Sequence, residues 1–107
     1  MKVKRVVLIS FSTNGKRFNS LGERNRFFRE LYGWNQVVVK RNKKQYTYRR
    51  PGLLDSIPHM KIDDSVFLIT ERYLNKVEEY FNNWSKKVEC RMLKLLMDEK
   101  MVDEYGR

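Results

Sequence analysis

Residues 36–50 read QVVVKRNKKQYTYRR, and the interpretation of this stretch decides the architecture. Val37, Val38 and Val39 lead in, Tyr46, Thr47 and Tyr48 lead out, and Asn42-Lys43 lies between them. β-Branched and aromatic residues on either side of a polar turn predict a β-hairpin, with Asn able to adopt the positive φ that a tight turn needs. A two-residue turn would set Val37 opposite Tyr48 and Val39 opposite Tyr46; a longer loop would shift that register. Pro51-Gly52 closes the unit.

Working toward the N-terminus, residues 3–11 (VKRVVLISF) contain the run Val6-Val7-Leu8-Ile9, which suits a strand buried on both faces. Ser12-Thr13-Asn14-Gly15 reads as a loop. Ser20-Leu21-Gly22-Glu23 matches a capping box and predicts a helix start. Leu21, Phe28 and Leu31 then recur on one side, Phe27 and Leu31 are four apart, and Gly33 is a natural C-cap. Arg24, Arg26, Arg29 and Glu30 lie on the other flank.

Toward the C-terminus, residues 53–59 look irregular, with Pro58 forcing Ile57 extended. Residues 60–70 (MKIDDSVFLIT) predict a second buried strand at Val66–Ile69, with Asp63-Asp64 as the turn leading into it. Thr70 is an acceptable N-cap, and Leu74, Val77, Phe81 and Trp84 form a helical apolar stripe flanked by Tyr73 and Tyr80. Residues 87–92 alternate as a half-buried strand. The tail, 93–107, leaves two alternatives: a short helix bearing Leu95, Leu96 and Met101, or a segment that packs on a partner chain.

The order strand, helix, hairpin, strand, helix, strand predicts one α+β domain over 1–107, a ferredoxin-like split βαβ with an inserted basic β-hairpin at 36–50. Two helices on one face of the sheet leave the other open, to nucleic acid or to a second copy of the chain. The 107 residues and 41% hydrophobic content suffice for one modest core. No apolar run is long enough to cross a bilayer as a helix, residues 1–12 lack the features of a signal peptide, and Cys90 has no internal partner. These features lead us to expect a cytoplasmic protein without membrane association. There is no alanine, so the helices must depend on packing an amphipathic face.

The charge is unevenly placed. Residues 1–52 hold 14 Lys and Arg against two carboxylates, whereas residues 53–107 hold nine against eleven, so the whole excess of +10 resides in the first half. Such asymmetry points to a polyanionic partner, DNA or RNA. Lys40, Arg41, Lys43, Lys44, Arg49 and Arg50 interleave with Tyr46 and Tyr48, a composition in which cations neutralise phosphates and rings stack on bases. Arg24 and Arg29 extend the candidate surface; Arg26 is better explained by pairing with Glu30 four residues on. Trp34 is a stacking candidate that could equally cap the core.

The lone His59 has no motif around it and suits a structural role better than general acid–base work. Asp55, Asp63 and Asp64 are the carboxylates to weigh for a metal, although Asp63-Asp64 has the simpler reading as a turn. One Cys and one His cannot close a zinc site, and no phosphate-loop, dinucleotide, nucleophile-elbow or zinc-protease motif occurs, so neither cofactor nor resident metal is expected.

The run Arg26-Phe27-Phe28-Arg29-Glu30-Leu31-Tyr32-Gly33-Trp34, followed by Ser65-Val66-Phe67, a helix and a strand, resembles the Cas-two family, the small ferredoxin-like subunit of the CRISPR spacer-acquisition complex. It is similar, too, to the C-terminal domain of the phenylacetate-pathway repressors. The likeness covers roughly residues 5–92 and treats the hairpin as an insertion. It implies a homodimer that binds duplex DNA through basic residues, sometimes with metal-dependent nuclease activity. The family's usual Asp at the end of its first strand is replaced here by Ser10-Phe11-Ser12, which removes a hard oxygen ligand and argues against the nuclease. The expectation is therefore a non-catalytic nucleic-acid-binding homodimer. The alternatives are a metal-dependent nuclease of the Cas-two type and a subunit whose basic half meets an acidic protein.

Overall fold

The structure, a computed structural model, describes residues 2–13 and 17–101. Asn14 and Gly15 of the expected loop, and residues 102–107 of the tail, lie outside the described residues. The chain is mixed α and β. In order it forms β1 (Val3–Thr13), α1 (Leu21–Tyr32), β2 (Trp34–Val39), β3 (Gln45–Arg50), a 3-10 turn (Leu53–Ser56), β4 (His59–Asp63), β5 (Val66–Thr70), α2 (Leu74–Asn83) and β6 (Val88–Asp98).

β1, β4, β5 and β6 build an antiparallel sheet in the order β4-β5-β1-β6, while β2 and β3 pair only with each other. β4 is absent from the expected order. Asp63-Asp64 leads into β5 as expected, but the turn also closes a strand before it, with Met60 opposite Leu68 and a bulge between Lys61 and Asp63. The polar KIDD sequence masks this strand because it is an edge of the sheet and largely solvated. Of the two alternatives for the tail, a helix is not what residues 93–98 form: they continue β6, pairing with β1 from Val3–Asp98 to Leu8–Leu93, and residues 99–101 are helical.

The alternation of β1 explains both faces of the sheet. Val7, Ile9 and Phe11 point toward the helices and join Phe27, Leu31, Phe67, Ile69, Val77, Phe81, Trp84 and Val88 in the main core. Phe27 is its centre, with rings of Phe11, Trp84 and Phe28 at 5.5, 5.3 and 5.2 Å in edge-on packing, and the Tyr80 hydroxyl donates to its carbonyl at 2.6 Å. Val6 and Leu68 are buried on the opposite face with Leu8, Met60 and Met97 packed around them. Among the described residues no helix covers this second face, and Leu93 and Leu95, which cross-strand pairing places on it beside Leu8 and Val6, are 57% and 41% exposed.

The helix ends follow the sequence with three corrections. Ser20 Oγ accepts the Glu23 amide at 3.1 Å, but the Glu23 carboxylate accepts from the Asn19 amide rather than from Ser20. That carboxylate also takes the Lys87 ammonium, which, ahead of the Asn19 bond, holds its pKa below the ordinary value. Leu21 is exposed and does not join the buried face, which consists of Phe27 and Leu31. Thr70 precedes a 3-10 turn, Glu71–Tyr73, and makes no side-chain cap, so α2 depends on burying Val77 and Phe81.

Candidate nucleic-acid interface

The hairpin turns through three residues, not two. The Lys40 amide donates to the Lys44 carbonyl at 3.1 Å, the Lys43 amide donates back to the Lys40 carbonyl at 2.8 Å, and Asn42 Oδ1 accepts from the Lys44 amide at 3.0 Å. The positive φ (64°) falls on Lys43, while Asn42 spends its side chain on the turn. A type I turn followed by a left-handed residue is the usual three-residue solution. The odd loop length moves the register by one, so that Val37 faces Thr47, Val38 faces Tyr46 and Gln36 faces Tyr48.

That shift changes which side chains share a face. Tyr46 and Tyr48 do not accompany Val37 and Val39, as a two-residue turn would require; they stand with Val38, Gln36, Trp34 and Arg50. They are 38% and 39% exposed, and every residue of β3 is solvent-exposed, so the tyrosines are not core residues.

Cations back onto these rings. The Lys40 ammonium lies 5.5 Å from the Tyr46 ring centre, the Arg50 guanidinium 5.7 Å from that of Tyr48, and the Arg29 guanidinium 4.1 Å from that of Trp34. Arg50 Nε also donates to Gln36 Oε1 at 2.7 Å. The ladder continues on the body, where Arg24 lies 4.8 Å from the Phe28 ring and Lys61 4.5 Å from the Tyr32 ring. A cation held against a ring is positioned yet keeps its full charge, unlike one in a salt bridge. Lys40, Arg41, Lys43, Lys44, Arg50, Arg24 and Arg29 have no carboxylate partner among the described residues. Between Glu30 and Asp55 the chain contains no carboxylate at all.

Arg49 behaves differently from its neighbours. It donates to both oxygens of Asp55 (2.9 and 2.8 Å) and to the Tyr32 carbonyl (2.8 Å), so it clamps the base of the hairpin to the body and offers little charge to a ligand. Burial would raise the pKa of Asp55, but the Gly52 amide and the Arg49 guanidinium together hold it below its ordinary value. The chain enters the hairpin at Gly33 and leaves at Gly52, and these backbones touch. A Cβ on Gly33 would lie 2.7 Å from the Gly52 nitrogen, and one on Gly52 would lie 2.2 Å from the Gly33 nitrogen. Gly33 also adopts φ 78° and ψ 176°, a conformation closed to side chains.

Beside this clamp a cavity of about 560 Å³ opens, lined by Arg24, Phe28, Arg29, Tyr32, Lys61 and Asp64 among others. Phe28 and Tyr32 stack nearly parallel across 6.4 Å, and the Tyr32 hydroxyl donates to the Asp64 carbonyl at 2.6 Å. Burial, then Asp64 and Asp63, push the Tyr32 pKa up to about 12, so it remains a neutral donor. Lys61 is the residue here that the sequence does not reveal. It lies on the unexpected strand β4, and only the fold brings it to α1.

Three further cations of the first half go elsewhere. Arg26 pairs with Glu30 at 3.6 Å and lies over Trp84, Arg17 pairs with Glu89 at 2.8 Å, and Lys4 pairs with Glu99 at 3.8 Å. His59 Nδ1 lies 2.8 Å from the Ile57 carbonyl. Burial pushes the Cys90 thiol up to about 11, away from thiolate chemistry. Of the carboxylates weighed for metal, Asp55 is held by Arg49, Asp63 accepts the Asp64 amide at 2.8 Å, and Asp64 pairs with Lys61 at 3.3 Å. No cluster of three or more potential ligands forms among the described residues. In comparisons with known proteins, the chain matches no family model, no curated protein and no solved structure.

Proposed function

We propose that this protein binds nucleic acid, DNA or RNA, non-catalytically through the face of its hairpin that carries Trp34, Tyr46 and Tyr48. One observation carries the reading: the rings on that face are exposed or half-buried, and each is flanked by a cation with no carboxylate partner among the described residues. Rings supply stacking that tolerates any base, and the cations supply phosphate contacts. A two-stranded ribbon is also narrow enough for a major groove. Arg41, Lys43 and Lys44 at the turn extend the positive charge, and Arg24 and Arg29 continue it onto α1.

The strand order β4-β5-β1-β6, with α1 and α2 on one face, supports a ferredoxin-like arrangement with β2 and β3 inserted. The nuclease alternative has weaker support, because Asp55 and Asp64 are committed to cations.

The test is fluorescence anisotropy with labelled duplex DNA, single-stranded DNA and RNA at two salt concentrations. Binding at low salt should weaken with a slope of about −0.9 per duplex phosphate contact, or about −0.7 for a single strand. Tyr46→Ala with Tyr48→Ala should cost about 1–3 kcal/mol per lost stack. Absence of binding to all three at low salt overturns the proposal.

A second observation favours pairing with another copy of the chain. The sheet face without helices presents Leu8, Met60, Leu93, Leu95 and Met97 around Val6 and Leu68, and its β1, β5 and β6 positions carry no aromatic ring. It thus lacks base-stacking groups and offers an apolar centre suited to self-association. Leu93→Glu should convert a dimer to monomer in sedimentation velocity; a wild-type monomer at high concentration refutes the pairing.

A further inference from the structure

The cavity beside the hairpin base has a chemistry distinct from the hairpin face. Arg24, Arg29 and Lys61 converge on it from α1 and β4, and each is braced against an aromatic ring, Phe28, Trp34 and Tyr32 respectively. Among the described residues Asp64 is the one carboxylate in its lining, paired with Lys61 at 3.3 Å and 91% exposed. Three cations against one carboxylate leave an excess of two positive charges in a concave site. A phosphomonoester carries −1.5 to −2 at neutral pH, whereas an internal phosphodiester carries −1.

Bracing matters because a long cation normally loses rotamer freedom when it captures an anion. Held against rings, these side chains have given up much of that freedom beforehand, and planar guanidinium groups can then donate two parallel hydrogen bonds to phosphate oxygens. Volume agrees: about 560 Å³ exceeds a lone phosphate and accommodates the terminal nucleotide attached to it. Arg29 gives continuity, since it lines the cavity while lying over Trp34, the first residue of the hairpin face.

We propose that this cavity takes the terminal phosphate of a nucleic-acid strand whose following nucleotides run out along the Trp34–Tyr48–Tyr46 face. The inference rests on the nucleic-acid reading above and adds an end specificity that the hairpin alone does not supply.

The experiment compares single-stranded oligonucleotides of one sequence bearing a 5′-phosphate, a 3′-phosphate or hydroxyls at both ends, with inorganic phosphate as competitor. The full-length chain is used as wild type, as Arg24→Gln with Lys61→Gln, and as Tyr46→Ala with Tyr48→Ala; circular dichroism verifies that each is folded. The wild type should bind one phosphorylated end about tenfold more tightly than the hydroxyl form, as expected for added hydrogen bonds to a charged group. Arg24→Gln with Lys61→Gln should abolish that preference, with hydroxyl-end binding weakened only by the loss of the phosphate contact from Arg24. The tyrosine variant should lose affinity for all three strands and keep the preference.

Equal affinity of the wild type for all three ends overturns the end site and leaves the hairpin reading standing. A preference that survives loss of Arg24 and Lys61 locates end recognition elsewhere and also overturns it. Failure to bind any strand removes both proposals together. Competition by millimolar inorganic phosphate against the phosphorylated strand alone distinguishes recognition of phosphate from recognition of the terminal base.

Discussion

The sheet with its helices and the β2–β3 hairpin are two kinds of structure joined at a pair of touching glycines. In the body, Val7, Ile9, Phe27, Leu31, Phe67, Ile69 and Val77 are wholly buried, and conformation follows from excluding water. In the hairpin, β3 is exposed along its length, and shape follows from the turn, the ladder of backbone bonds and the Arg49–Asp55 clamp. An isolated two-stranded ribbon is marginal in water. The lesson is a division of labour: the body supplies stability and orientation, and the arm keeps its rings and charge available because it contributes little to the core.

The largest way to break this comparison is Phe27→Ala. Removing a ring packed among Phe11, Phe28, Tyr80 and Trp84 should cost about 3–5 kcal/mol in urea unfolding. The tyrosine pair should instead change affinity and leave the unfolding midpoint nearly unmoved. If Tyr46→Ala with Tyr48→Ala destabilised the protein as much as Phe27→Ala, the arm would belong to the core and the division would fail.

Gly33→Ala probes the joint. The backbone conformation alone costs about 1–3 kcal/mol for a side chain, and the new Cβ would meet Arg49 Nη2 at 2.5 Å and Asp55 Oδ2 at 2.6 Å. The expected result is a loss of stability in that range together with weakened nucleic-acid binding, as the arm loses its fixed direction. Weakened stability with intact binding would show that orientation is unimportant.

Asp55→Asn gives the smallest effect. A carboxylate held below its ordinary pKa stabilises the fold fully above the unfolded value, near 4, and loses that contribution as pH falls through the folded value. The Arg49–Asp55 pair is partly exposed, so water screens it and it contributes no more than about 1 kcal/mol. Thermal melts at pH 7 and pH 3 should therefore show a shallower acid loss in Asp55→Asn than in the wild type. Equal losses would assign the clamp to hydrogen bonding without charge.

Elements whose residues answer to their immediate neighbours were legible. Ser20 and Gly33 bracket α1 as read, the run of residues 66–69 is a core strand, and Arg26 pairs with Glu30. The misreadings share a cause. β4 was hidden because an edge strand need not be apolar, and the extension of β6 because Leu95-Leu96 breaks the alternation of apolar and polar residues, Leu96 being exposed. The hairpin register depended on which single residue would take positive φ, Asn42 or Lys43, and that choice moved both tyrosines to the opposite face. The cations of the hairpin were all visible, but the separation of Arg49, a clamp on Asp55, from Arg50, braced on Tyr48 and bonded to Gln36, was not.

Composition and local pattern thus determined an α+β chain, a strongly basic first half, a capped helix and a Tyr-bearing hairpin, because propensity, capping and charge act over a few residues. Tertiary structure alone decided that Lys61 meets Arg24 and Arg29 and that Asp55 cancels Arg49. Those outcomes depend on which distant segments the collapse of the core brings together, and no spacing along the chain encodes them.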